Sequence, residues 1–92
     1  MIVSFKHRGL KRLYEKGDKS RIDPNHVDKA ELILADLAAA EAIDEMRVPG
    51  YRLHELHGDL KDFYSVEVSG NWRIIFRFED GQASDINLVD YH

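Results

Sequence analysis

The chain has 92 residues, 43% of them hydrophobic and 33% charged, with no cysteine and a formal net charge of −4. That is the make-up of an ordinary globular domain and not of a disordered or fibrous chain, and the missing thiol excludes disulfides, thiolate metal sites and a cysteine nucleophile. No run approaches the ~18 apolar residues of a membrane span, and the stretch after Met1 turns polar too soon for a signal peptide, so one cytoplasmic domain over residues 1–92 is expected, without membrane association.

Val3 and Phe5 alternate with Ser4 and Lys6, which predicts a short first strand. Leu10, Leu13 and Tyr14 then fall at i, i+3 and i+4, and Gly17 stands where a helix takes a left-handed C-terminal residue. This predicts a short basic helix carrying Arg8, Lys11, Arg12 and Lys16 beside or opposite its apolar stripe. Residues 1–30 hold eight Lys or Arg against four acids, so a local basic face is expected on an acidic protein.

Asp23 and Pro24 mark the next helix start, one as N-cap and the other in the first turn, where its missing N–H costs nothing. Val27, Ala30, Ile33, Leu34 and Leu37 form a helical stripe that runs to about Ala42. Residues 31–45 hold five acids and no base, and Val48-Pro49-Gly50 ends the helical half.

The remainder reads as strands. Residues 51–56 alternate weakly, and His57-Gly58-Asp59 is a turn candidate. Tyr64, Val66 and Val68 alternate with polar residues up to a Gly70-Asn71 turn, and Trp72, Ile74, Phe76 and Phe78 continue the pattern. Asp80-Gly81 signals a tight hairpin, and Ile86 and Leu88 belong to a last strand reaching the C-terminus. Two helices followed by an antiparallel meander imply an α+β layer with helices on one sheet face. The other face is then partly polar and is the place for a site.

The last residues, Asp90-Tyr91-His92, present a carboxylate, a phenol and an imidazole at the end of that strand. An imidazole titrates near neutral pH and suits general acid or base work, whereas a chain end ordinarily frays as a polar tail. His54 lies between Leu53 and Leu56, where it is either a half-buried structural histidine or a second proton-transfer group. His7, His26 and His57 fall at turns or helix starts, where polar residues are expected in any case. Arg73 and Arg77 share one side of a strand, at a spacing taken as about 7 Å, and either bind successive phosphates or pair with Glu67 and Asp85 across strands. Trp72, Phe76 and Phe78 are assigned to the core, leaving Tyr64 and Tyr91 to stack on a nucleobase.

The ordered set Ser4-Phe5-Lys6-His7-Arg8-Gly9-Leu10, Pro49-Gly50-Tyr51-Arg52-Leu53-His54, Tyr64-Ser65-Val66, Ser69-Gly70-Asn71-Trp72-Arg73, Phe76-Arg77-Phe78-Glu79-Asp80-Gly81 and Val89-Asp90-Tyr91-His92 resembles the HigB-type toxins of the RelE/ParE superfamily, the toxin halves of type II toxin–antitoxin pairs. The resemblance spans nearly the whole chain, and residues 25–47 match only in character. It implies a RelE-like α+β fold, with two N-terminal helices packed on a mostly antiparallel sheet of four to five strands. It also implies a ribosome-dependent, metal-independent endoribonuclease without cofactor, which cuts mRNA in the ribosomal A site against 16S rRNA. A HigA-type helix-turn-helix antitoxin would neutralise it and would mediate any contact with operator DNA.

Carried over residue by residue, the resemblance assigns catalysis to His54, Arg73, Asp90, Tyr91 and His92, and RNA binding to His57, Tyr64 and Arg77. His54 and His92 would be the proton-transfer pair, Asp90 would orient an imidazole or assist as base, Arg73 would stabilise charge and Tyr91 would position a base. Relatives often read Leu-His-Pro-Leu-Lys-Gly where this chain has Leu53-His54-Glu55-Leu56-His57-Gly58. His57 thus replaces a phosphate-binding lysine and Glu55 adds a negative charge, both of which weaken RNA binding. The alternatives on the same scaffold are a ParE-like, non-catalytic gyrase inhibitor and a weakly toxic corepressor. The basic first helix suits an acidic antitoxin segment or ribosomal RNA.

Overall fold

A computed structural model describes residues 1–90, in which both helix starts are made by side chains. In helix α1 (Arg8–Lys16) the His7 Nδ1 accepts the Leu10 N–H at 3.1 Å, and Gly17 ends the helix at φ 66°. The Gly17 and Asp18 N–H groups donate to Leu13 and Arg12 carbonyls, satisfying two otherwise orphaned acceptors. In helix α2 (Pro24–Ala39) the Asp23 carboxylate accepts the Asn25 N–H at 2.8 Å, and the whole expected stripe of Val27, Ala30, Ile33, Leu34 and Leu37 is buried.

Helix α2 stops at Ala39, short of the Ala42 expected from composition. The Glu45 carboxylate accepts the Glu41 and Ala42 N–H groups at 2.9 Å each and starts a separate 3-10 turn, Ile43–Met46. Met46 is buried by this break, whereas a continued helix would set it on the side opposite Leu37.

Four antiparallel strands follow, β1 (His54–Glu55), β2 (Phe63–Ser69), β3 (Trp72–Glu79) and β4 (Gln82–Asp90), in the order β1-β2-β3-β4. The helices cover one sheet face, as the hydrophobic pattern predicts, and Phe76, Ile74, Ile86 and Val66 meet Leu10, Ile33, Leu34 and Leu37 there. The β3–β4 turn has Asp80 at φ 52° and Gly81 at φ 75°, the left-handed pair that matches a two-residue hairpin to strand twist. Among the described residues no helix is long and apolar enough to cross a membrane.

Three expectations are corrected. The N-terminal segment is no strand: it touches β4 at two parallel bridges, Ile2–Ala83 and Phe5–Ile86. Ile2 and Phe5 pack against the core while Val3 is 49% exposed, because β4 bulges at Asp85 (φ 53°) and breaks the ladder the segment would need. The bulge N–H is recovered by Ser4 Oγ at 2.9 Å. The weak strand over residues 51–56 shrinks to two residues, since Arg52 turns the chain at φ 50° and Tyr51 is buried against α2, donating to Asp36 at 2.6 Å. Trp72 is 36% exposed, its ring 5.6 Å from that of His26, because it starts β3 just past the Gly70-Asn71 turn.

Candidate functional site

The sheet face turned away from the helices carries a small apolar cluster of its own, Leu56, Phe63 and Ile75, flanked by Leu60 and Val89. Residues paired across antiparallel strands share a face, so the register places functional groups in rows around this cluster. One row reads His54, Ser65, Ile75, Asn87, and the next reads Glu67, Arg73, Val89. His54 and Arg73 therefore emerge on the same open face. His54 is exposed and not the half-buried residue that its apolar neighbours suggested.

Arg73 is anchored. Its Nη1 donates to Glu67 Oε2 at 3.2 Å and to the Gly70 carbonyl at 3.1 Å. Arg52 reaches the same carboxylate oxygen from the other side, with its Nε at 3.7 Å. Farther along β3, Arg77 pairs with Asp85 at 3.3 Å and lies over the Phe63 ring at 4.6 Å, while Lys6 Nζ lies 5.9 Å from that ring. Lys6, Arg52, Arg73 and Arg77 thus gather on or beside this face, the arginines paired with Glu67 and Asp85, and Glu79 lies on the same side of β3.

Arg73 and Arg77 stand four residues apart, which on a strand is about 13 Å and not the 7 Å of an i, i+2 pair. They serve separate ends of the face. The sequence pattern sets Lys6 and Arg52 in strands that do not form, and only the fold brings them beside Phe63 and Glu67. The nearest signal was their place inside the matched segments.

Tyr64 emerges on the opposite face from His54 and Arg73, since it pairs with Phe76 and stacks on it at 6.1 Å between centroids. It lines a cavity of about 430 Å³ at the end of the sheet, with Glu55, Asp62, Arg77 and Phe78. His57 is exposed and precedes the 3-10 turn Gly58–Leu60. Asp90 closes β4 opposite Trp72, on the alternate side of the strand to Val89. Tyr91 and His92 lie outside the described residues. Among the described residues no three His, Asp or Glu side chains are grouped to hold a metal ion.

A second basic region lies on α1, where Arg8, Lys11, Arg12, Lys16 and Arg21 line a cleft of about 330 Å³ with Glu15. Arg12 Nε donates to Asp18 Oδ2 at 2.9 Å, and Asp18 Oδ1 accepts from the Ser20 hydroxyl and N–H. These bonds, those from Ser20 first, hold the Asp18 carboxyl well below the usual carboxylate range. The expected basic helix face is thus present, extended by Arg21 from the following loop.

The profile of the HigB family, described as the RelE-like toxin of type II toxin–antitoxin systems, matches residues 3–92. An endoribonuclease HigB of Proteus vulgaris is 44% identical over 92 residues, covering 100% of both chains. The toxin HigB-1 of Vibrio cholerae serotype O1 is 35% identical over 90 residues, which are 96% of this chain and 95% of that one.

Proposed function

The chain belongs to the HigB family of RelE-like toxins of type II toxin–antitoxin systems, and from that membership we propose that it is an endoribonuclease that stops translation by cutting mRNA in the ribosomal A site. The observation that carries this reading is the open face on which His54 and Arg73 emerge together, with Arg52, Arg77 and Lys6 beside them. RNA phosphates are held by cationic side chains of this kind.

The reaction needs no group beyond the RNA and the side chains. The 2′-OH loses a proton as its oxygen attacks the adjacent phosphorus, the P–O5′ bond breaks, and a proton is delivered to O5′. The products are a 2′,3′-cyclic phosphate and a free 5′-OH. We assign the two proton transfers to His54 and His92, with Asp90 orienting an imidazole or assisting as base, and Tyr91 positioning a nucleobase. Arg73 stabilises the charge that gathers on the non-bridging oxygens. His57 and Arg77 hold flanking phosphates, and Tyr64 contacts a base at the end of the sheet.

The partners follow from the same reading. A HigA-type antitoxin neutralises the chain in the cytoplasm and carries the pair to operator DNA, and 16S rRNA frames the substrate. The α1 cleft offers either polyanion a positive surface away from the open face.

The test is a primer-extension map of a well-translated mRNA after brief induction of this chain, beside His92→Ala. In-frame cuts that vanish in the variant and when initiation is blocked support the proposal. Growth arrest with intact mRNA and lost gyrase activity would replace it with a gyrase-type inhibitor. Neither cuts nor arrest would leave a corepressor.

A further inference from the structure

Glu67 stands beside Arg73 at the end of the open face next to the Gly70-Asn71 turn. Its backbone N–H donates to the Tyr51 carbonyl at 2.6 Å, which ties its Cα to the segment leading into β1. Its Oε2 accepts one Arg73 Nη1 hydrogen at 3.2 Å, and the Gly70 carbonyl accepts from the same nitrogen at 3.1 Å. Both hydrogens of Nη1 are then spent inside the protein, one on the neighbouring strand and one in the turn. Two anchors fix the plane of the guanidinium. Among the described residues no hydrogen bond uses Nε or Nη2, the edge that takes a phosphate in a bidentate fork.

The position also has an electrostatic consequence. Glu67 is 24% and Arg73 21% exposed, so the pair is shielded more than an ordinary surface ion pair. Oε2 also attracts Arg52. One carboxylate thus offsets part of the positive charge of two arginines on the face where RNA would bind.

We propose that Glu67 is a positioning residue for the RNA-cleaving reaction: it aims the Nε/Nη2 edge of Arg73 at the substrate phosphate, and it holds RNA affinity below what Arg52 and Arg73 alone would give. The inference rests on the function proposed above. It separates two properties that a simple structural role would lose together, the rate of cleavage and the strength of binding.

Glu67→Gln keeps an oxygen that accepts from Nη1 and removes the charge, whereas Glu67→Ala removes both. Single-turnover cleavage of A-site-programmed mRNA, measured against toxin concentration, reads rate constant and half-saturation separately. Glu67→Gln is expected to keep the rate constant within about twofold and to bind severalfold tighter, with the gain shrinking in high salt. Glu67→Ala is expected to lose about tenfold in rate constant without weaker binding. In an Arg73→Ala background Glu67→Ala should cost nothing further, because the two act as one unit.

A wild-type rate in Glu67→Ala, equal losses in both variants, or a loss that persists in the Arg73→Ala background would overturn the inference while the nuclease reading stands. A wild-type chain that leaves the mRNA uncut overturns the nuclease reading and this inference with it.

Discussion

His54 and Arg73 leave the same sheet face two strands and one pair-row apart, which places their Cα atoms about 12 Å from each other. An imidazole and a guanidinium reaching inward from those points can meet one phosphate between them. His54 is exposed and supports no part of the fold, whereas Arg73 ties β2 to the β2–β3 turn through Glu67 and the Gly70 carbonyl.

Removing either one should cost activity, and removing His54 should cost little stability. His54→Ala is expected to lower the cleavage rate by about 10²–10⁴-fold and Arg73→Ala by about 10²–10³-fold. Arg73→Lys should recover only part of the loss, because an ammonium cannot reproduce the planar fork. Urea unfolding of the His54 variant should stay within about 0.5 kcal/mol of wild type. A variant that unfolds instead would assign the residue to the fold.

Gly9 gives a prediction opposite to helix propensity. In a helix, Gly→Ala ordinarily stabilises by about 0.5–1 kcal/mol. Here a Cβ on Gly9 would stand 2.8 Å from Cε1 of His7 and 3.1 Å from the Arg21 carbonyl oxygen. The backbone contact cannot swing away, and moving His7 breaks the α1 cap. Gly9→Ala should destabilise by about 1–3 kcal/mol, read as a lower urea midpoint at unchanged slope.

The His7 cap also sets a pH dependence. Burial lowers the His7 pKa below its ordinary 6.5, and the Nδ1 lone pair that accepts the Leu10 N–H is lost on protonation. The unfolded chain then binds the proton more readily than the folded one. The stability held by the neutral ring is full above the unfolded value and falls away as pH drops below about 6.5. The Asp18 carboxyl, also depressed, retains its contribution until the pH falls below the ordinary 3.8, so it does not shape this window. His7→Asn keeps an N-cap acceptor without a titrating ring, so the difference in urea midpoint between wild type and variant should shift in the variant's favour from pH 8 to pH 5. A constant difference would contradict the cap.

Tyr51 fastens the segment before β1 to α2. Its hydroxyl donates to Asp36 at 2.6 Å, and Lys29 reaches both the Gly50 carbonyl at 3.1 Å and the Tyr51 ring at 6.0 Å. Burial, then the Asp36 carboxylate, push the phenol pKa up, so it remains a donor throughout the physiological range. Tyr51→Phe should cost about 1–2 kcal/mol, a fall of about 4–8 °C in Tm for each kcal/mol in a chain of this size. An unchanged Tm would show that the bond contributes nothing net.

What the sequence discloses of this fold is what local chemistry decides. Asp23-Pro24, Gly17 and Asp80-Gly81 each act through their own backbone, and the α2 stripe and the β2–β3 alternation need only periodicity. The misread places are those where a distant segment decides. Val3 faces out because of a bulge at Asp85, and residues 51–53 leave the ladder because Tyr51 is drawn to α2. The site was legible in part for the same reason. His54 and Arg73 lie in pattern-bearing strands, whereas Arg52 and Lys6 join the face only through the fold, and Tyr64 turns away from it because strand parity follows the register with Phe76.

The most direct test of the account is to map the ends of the RNA products when purified wild-type, His54→Ala and Arg73→Ala chains act on ribosomes carrying a defined A-site codon. Cuts at that codon leaving a 2′,3′-cyclic phosphate and a 5′-OH are expected from the wild type alone at full rate. Full-rate cleavage by either variant, or a 3′-OH with a 5′-phosphate at the cut, would contradict it.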